Sequence, residues 1–205
     1  MRRSFIEAIS HRRSNYHLSN NTSISRTELL DTLGTTLAVV PSPFNVQSAR
    51  LVVLLDHHHT DLWDIVERIL QPLTPQDRFL NTQQKINQAF RSGIGTILFY
   101  EDEESLDKLR ENIPTYAMNV GRWSEQSSGM LQFAIWTALE DMGLGASLQH
   151  YNPLIDDAVN RQWNINNRWR LIAQMPFGTP LDKPEAHPQT LPIGYRMILH
   201  EDNKK

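Results

Sequence analysis

The 205-residue sequence predicts an α+β fold, and three observations carry that expectation. Two short runs, Ala49 to Asp56 (with Leu51, Val52, Val53, Leu54 and Leu55) and Gly95 to Tyr100, are apolar and β-branched, as buried strands are. Longer segments place apolar residues at helical spacing, and Ser127 to Met142 is the most apolar of them. These helices and strands mix without strict βαβ alternation, which favours α+β.

Taken in order, Phe5, Ile6 and Ile9 suit a short helix over residues 2–11, which ends near His11-Arg12-Arg13-Ser14. Ser25-Arg26-Thr27-Glu28 has the form of a capping box ahead of Leu29, Leu30, Leu33 and Leu37, and that helix should stop before Pro41. The strand from Ala49 leads to an amphipathic helix over Thr60 to Leu70 and a further helix over Gln76 to Arg91. Gly95 to Tyr100 is followed by an acidic run opening a helix over Glu103 to Asn112. The apolar helix Ser127–Met142 should be buried on most sides, centrally or in a subunit interface, with Gly143 as its C-terminal cap. Ala146 to Gln149 and Trp169 to Ala173 read as strands, and Tyr195 to Leu199 as a last short one. The intervening prolines (Pro176, Pro180, Pro184, Pro188, Pro192) predict an extended run over a surface.

Bulk properties narrow the class. Length suits one domain, residues 1–205, able to bury a real core. Hydrophobic residues make up 40% and charged residues 21%, as in ordinary globular proteins. A net charge of −3 gives no bulk attraction to nucleic acid or to an anionic membrane. No apolar run approaches the roughly 20 residues that span a bilayer. With no signal-like start and no cysteine for disulfides, thiol catalysis or thiolate ligands, a cytoplasmic protein is expected. His57-His58-His59 is a solvated strand end or helix start, since three consecutive side chains do not easily converge on one ion; no metal is expected.

Four separated segments hold the candidate chemistry. They are Arg12-Arg13-Ser14; Pro41-Ser42-Pro43-Phe44-Asn45-Val46-Gln47; Ser127 through Gly143-Leu144-Gly145-Ala146 to Gln149-His150-Tyr151-Asn152-Pro153; and Met175-Pro176-Phe177-Gly178. Each has an ordinary reading alone: a basic turn, a helix-to-strand loop, a capped helix followed by a strand. Their order and spacing resemble the FMN-dependent nitroreductase family. The third segment is similar to its branch of small bacterial and fungal oxidoreductases related to the yeast fatty-acid-repression protein.

The resemblance implies a nitroreductase-like fold, with a central, mainly antiparallel sheet flanked by helices, and an intertwined homodimer holding FMN between subunits. Flavin phosphate needs cations, which arginine's planar fork suits; the ring needs a flat apolar slot, and its polar edge needs donors. By resemblance, Arg12, Arg13 and Ser14 would hold the phosphate end, with Tyr16 close by. Ser42, Asn45 and Gln47 would reach the flavin from the partner subunit. The backbone N–H groups of Leu144, Gly145 and Ala146 would meet flavin N5 and O4, because glycine allows close approach. Near the C-terminus His187 stands where the branch usually carries a lysine, and Arg196 matches a later arginine. Phe44 departs from the smaller residue common there.

The implied activity is electron transfer from NAD(P)H to nitroaromatics, quinones or similar small electron-poor acceptors. Nicotinamide usually stacks on the flavin in this family, so no Gly-x-Gly-x-x-Gly fingerprint is needed. The proton would come from water, Tyr16 or His150. Two other readings stay open: a flavin- or lipid-binding regulatory protein with little turnover, and an interaction domain using residues 127–142 as a dimer interface. Trp123, in a loop before the third segment, is the tryptophan best placed for a substrate wall.

Overall fold

Gly95–Asp102 (β3) organises the molecule, because all eight of its residues are buried. Such a strand must be covered on both faces, and helices from either side do so. The computed structural model describes residues 4–182 and 189–201. Before β3 come α1 (Phe5–His11), β1 (Leu18–Ser19), α2 (Arg26–Val39), β2 (Ala49–Leu55), α3 (Asp56–Leu70) and α4 (Gln76–Lys85). After it come α5 (Glu103–Asn112), α6 (Val120–Asp141), β4 (Gly145–Ala146), α7 (Asp156–Gln162) and β5 (Trp169–Pro180).

The five-stranded sheet runs β1-β5-β3-β2, with β4 also on β5, and the named strand pairs are antiparallel. Alternation along β3 divides the core. Ile97 and Phe99 face α2 and α6, packing with Leu29, Leu33, Leu131, Ile135 and Leu139. Leu98 and Tyr100 face α3 and α7, packing with Leu62, Trp63, Val66, Phe90 and Val159. A smaller cluster joins Leu106 and Leu109 of α5 to Val120.

Local signals explain the ends. Ser25 Oγ accepts the Glu28 N–H at 3.1 Å and starts α2. Ser4 forms the full reciprocal box with Glu7 at α1. After α6, Gly143 adopts φ +79°, its N–H reaches the Glu140 carbonyl at 2.9 Å, and the Leu144 N–H reaches the Leu139 carbonyl at 2.8 Å. That pair of bonds is a Schellman cap, which needs a left-handed residue and so favours glycine.

Several expectations are corrected. Tyr195–Leu199 is not a strand: a 3-10 turn covers Ile193–Tyr195, and residues 189–201 are exposed throughout. α3 starts at Asp56 and α6 at Val120, both earlier than expected. The helix over Gln76–Arg91 is α4 continued by a π-helical stretch, Ile86–Arg91. The strand expected over Ala146–Gln149 is only β4 plus an isolated bridge from Gln149 to Gln174. Short β1 and α7 carried no clear periodic signal.

β5 runs to Pro180 and so contains Met175-Pro176-Phe177-Gly178, where an extended surface run was expected. Pro176 is tolerated inside it because its carbonyl accepts the Ser147 N–H at 3.2 Å. Its missing N–H therefore faces that irregular side and leaves the β3 ladder intact. Pro184 and Pro188 lie outside the described residues. No helix among the described residues is long and apolar enough to cross a membrane.

Candidate functional site

The N-terminal segment leaves α1 at Arg12, whose N–H still bonds the Ala8 carbonyl at 2.9 Å while its ψ of 121° turns the chain extended. The Arg12 guanidinium lies 4.3 Å over the Trp136 ring of α6. Burial lowers its pKa, Arg13 lowers it further, and Glu140 opposes both. Its Nε is buried without an acceptor among the described residues. A desolvated guanidinium beside a second arginine, with a donor unmet, suits an incoming anion. Asn15 Nδ2 donates to the Arg13 carbonyl at 3.1 Å and the Asn15 N–H to the Ala146 carbonyl at 2.9 Å, tying this segment to β4. Ser14 and Tyr16 are exposed.

The second segment forms a pocket elsewhere. Ser42 Oγ accepts the Gln47 N–H at 3.0 Å and the Ser42 carbonyl accepts the Asn45 N–H at 3.0 Å, which folds residues 42–47 into a tight loop. Phe44, Asn45 and Gln47 all take positive φ (50°, 53° and 49°), a region non-glycine residues rarely adopt. With Leu37, Ala38 and Val40 from the end of α2, and Ser127 and Leu131 from α6, this loop encloses about 360 Å³. Ser42, Asn45, Gln47, Ser48 and Arg50 give it a polar side, and the α2 and α6 residues an apolar one.

Arg50 bonds Asp102 at 2.7 Å and the Gln47 and Ala49 carbonyls at 2.7 and 3.0 Å. Burial alone would raise the Asp102 pKa, but Ser105, Arg50 and the amides of Glu104 and Ser105 together lower it.

One layer behind the polar wall sits Glu101, which the sequence reading missed. Ser48 and Ser124 donate to its Oε2 at 2.6 and 2.9 Å. Its Oε1 is buried without a partner among the described residues. Burial raises its pKa against both hydroxyls and Arg170. With their protons spent on Glu101, the serine oxygens offer only lone pairs elsewhere, so the Ser48 side of the pocket favours a ligand N–H. The available signal was a buried strand running directly into an acid, Phe99-Tyr100-Glu101.

The third segment is drawn inward. The Leu144 N–H is committed to the α6 cap, and Leu144, Gly145 and Ala146 are all buried within the protomer. Gly145 is closed off by Asn15, whose Cβ would stand 2.9 Å from an added Cβ, and the Ala146 carbonyl holds Asn15. Here the glycine allows close chain-on-chain packing against Asn15. Of the C-terminal pair, His187 lies outside the described residues, and Arg196 is exposed at the end of a 3-10 turn.

Arg12 meets α6 at Trp136, whereas the pocket meets it at Ser127 and Leu131. At 1.5 Å per residue these levels are about 8–14 Å apart along the axis. Within one protomer the two halves of the expected site therefore stand apart.

His57, His58 and Asp61 bring donor atoms within 4.8 Å of one another, because the first turn of α3 carries Asp61 beneath the histidines. The Trp163 indole donates to His58 Nδ1 at 3.1 Å, so the proton of neutral His58 resides on Nε2. That tautomer has no free nitrogen lone pair for a metal.

The fold and the pocket define an α+β protein whose candidate site is divided along one central helix. Residues 9–179 match the nitroreductase family model, and the chain belongs to that family. HBN1 of Saccharomyces cerevisiae, named as a nitroreductase, is 31% identical over 182 residues, covering 88% of this chain and 90% of that protein. The nitroreductase CinD of Lactococcus lactis is 35% identical, with 97% of this chain and 100% of that chain covered. It superposes with TM-scores of 0.88 in complex with chloramphenicol and 0.87 in complex with 4-nitrophenol. A Desulfovibrio desulfuricans protein solved with FMN shares the fold at 17% identity and TM-score 0.67, over 99% of this chain and all of that one.

Proposed function

We propose that this protein is an FMN-dependent oxidoreductase that passes electrons from NAD(P)H to nitroaromatics, quinones or similar small electron-poor acceptors. It would work as a homodimer in the cytoplasm, where a cysteine-free chain is at no disadvantage. The carrying observation is the division of the site: a desolvated arginine with an unmet donor at one level of α6, and a pocket with one polar and one apolar side at another. A second copy of the chain would bring the two together. Exposed Met130 and Phe133 on α6, Phe5 and Ile6 on α1, and the apolar residues of 191–199 supply surface for such an association. CinD's complexes with chloramphenicol and 4-nitrophenol support the acceptor class.

FMN, when bound, supplies hydride acceptance from the nicotinamide and electron donation to the acceptor. The chain's own residues bind and orient. Arg12 and Arg13 suit the phosphate, with Ser14 and Tyr16 exposed on the same segment. Ser42, Asn45 and Gln47 suit the polar edge of the ring, while Leu37, Ala38, Val40 and Leu131 give a flat, water-excluding wall. Arg196, and His187 beyond the described residues, are further candidates for neutralising the phosphate.

The test is the visible spectrum of the purified protein, followed by NADPH or NADH without oxygen, with the oligomeric state measured alongside. Flavin bands that bleach in a dimeric protein are expected. A colourless protein that takes up no added FMN would overturn the reading. A yellow protein that does not bleach would point to a flavin-binding protein with little turnover.

A further inference from the structure

Ser48 lines the polar pocket, and directly behind its hydroxyl lies Glu101, near the end of β3. Glu101 is fully buried, yet among the described residues no cation bonds it. Its two hydrogen bonds come from the neutral hydroxyls of Ser48 and Ser124 and both fall on Oε2, which leaves Oε1 bare. An amide would accept both hydroxyls equally well. Only an acid in that place can change its charge, and burial without a bonded cation keeps the neutral form within reach.

The charges around Glu101 are few. Arg170 stands opposite it in the β3–β5 register but bonds Glu103 at 2.7 Å, and Glu103 at the start of α5 adds negative charge. On the other sides β2 pairs Ala49 with it and α6 contributes Ser124. The cation of the pocket is also committed. Arg50 bonds Asp102 at 2.7 Å, and against its burial Asp102 is held ionised by Ser105, by Arg50 and by the amides of Glu104 and Ser105. The polar wall therefore has little positive charge to spare.

A flavin reduced by hydride gains one negative charge, spread over its N1–C2 carbonyl edge. Beside a wall without spare positive charge, that new charge disfavours a carboxylate standing one hydroxyl away. We propose that Glu101 takes up a proton from solvent when the flavin is reduced and returns it when the electrons leave. This rests on the flavin reading above, because Glu101 backs the pocket assigned to the polar edge of the ring. The balance closes. NAD(P)H gives a hydride, solvent gives Glu101 a proton, and an acceptor such as a quinone finally takes both as it becomes the hydroquinone.

The experiment reduces the flavin-loaded protein anaerobically at an electrode and reads proton uptake with a pH-indicator dye. Wild type should take up about one proton more per two electrons than Glu101→Gln, over the pH range where Glu101 is ionised beside oxidised flavin and neutral beside reduced flavin. In that range its midpoint potential should fall about twice as steeply with pH. Reduced-minus-oxidised infrared spectra of wild type should gain a carboxylic acid carbonyl band that shifts in D2O and is missing from Glu101→Gln. The wild-type spectrum decides the matter even if the variant does not fold. Equal proton uptake in the two proteins, or no such band in wild type, would overturn the proposal and leave the oxidoreductase reading standing. A wild-type protein that binds no flavin would overturn both.

Discussion

His59 should make the protein acid-sensitive well above the range where its carboxylates titrate. It sits in the first turn of α3, nearly fully buried, with Nδ1 at 2.9 Å from Thr96 Oγ1, which also accepts the Trp63 indole N–H at 3.1 Å. Burial pushes its pKa down to about 4, against the backbone carbonyls of Arg91 and Phe90 that favour the cation. The unfolded chain carries an ordinary histidine of pKa about 6.5.

Between those values the unfolded state binds more protons, so stability is complete above the unfolded pKa and is lost as pH falls toward the folded one. The full difference corresponds to about 3 kcal/mol, of which about 2 kcal/mol is lost between about pH 7 and pH 5. For a chain of this size that lowers Tm by about 4–8 °C. Glu101 and Asp156 have raised pKa values, and acid relieves them, so they act in the opposite sense. Urea or thermal unfolding of wild type and His59→Asn across that window isolates the histidine, because the carboxylates are common to both. The wild type should lose stability more steeply than the variant; parallel profiles would refute the argument.

Other perturbations follow from the same geometry. Arg12→Ala should weaken FMN retention by about 10–100-fold, the loss of one charge-assisted contact, without slowing hydride transfer to flavin that remains bound; equal occupancy at limiting FMN would remove Arg12 from the phosphate site. Gly145→Ala drives a methyl against Asn15 and should cost about 1–3 kcal/mol in chemical denaturation, detaching the Arg12–Asn15 segment from β4. Phe133→Asp, on the exposed face of α6, should yield monomers by light scattering and reduce flavin content with them; a dimer with full flavin would place the interface elsewhere. Glu101→Ala removes the acceptor of the Ser48 hydroxyl and frees it to donate into the pocket, so FMN affinity should fall several-fold; an unchanged affinity would separate Glu101 from the pocket.

What the sequence by itself determined was local. The apolar runs at Ala49–Leu55 and Gly95–Tyr100 are strands, Ser25 caps α2, and Gly143 ends α6, because each depends on residues a few positions away. The segments Arg12–Ser14 and Ser42–Gln47 were also legible as candidate sites, since arginine pairs and proline-serine-asparagine loops carry their chemistry in their residue types.

Tertiary structure decided whatever needed a distant partner. Met175–Gly178 became strand because β3 lay ready to pair with it, overriding proline's local preference. The Leu144 amide bonds a carbonyl five residues back, at the cap of α6. Glu101 joined the site through serines 53 and 23 residues away, a relation that no local pattern encodes. The same cause underlies the division of the site along α6. A helix sets the spacing of its own residues, but which loops dock at each level is settled only when both faces of the sheet are covered.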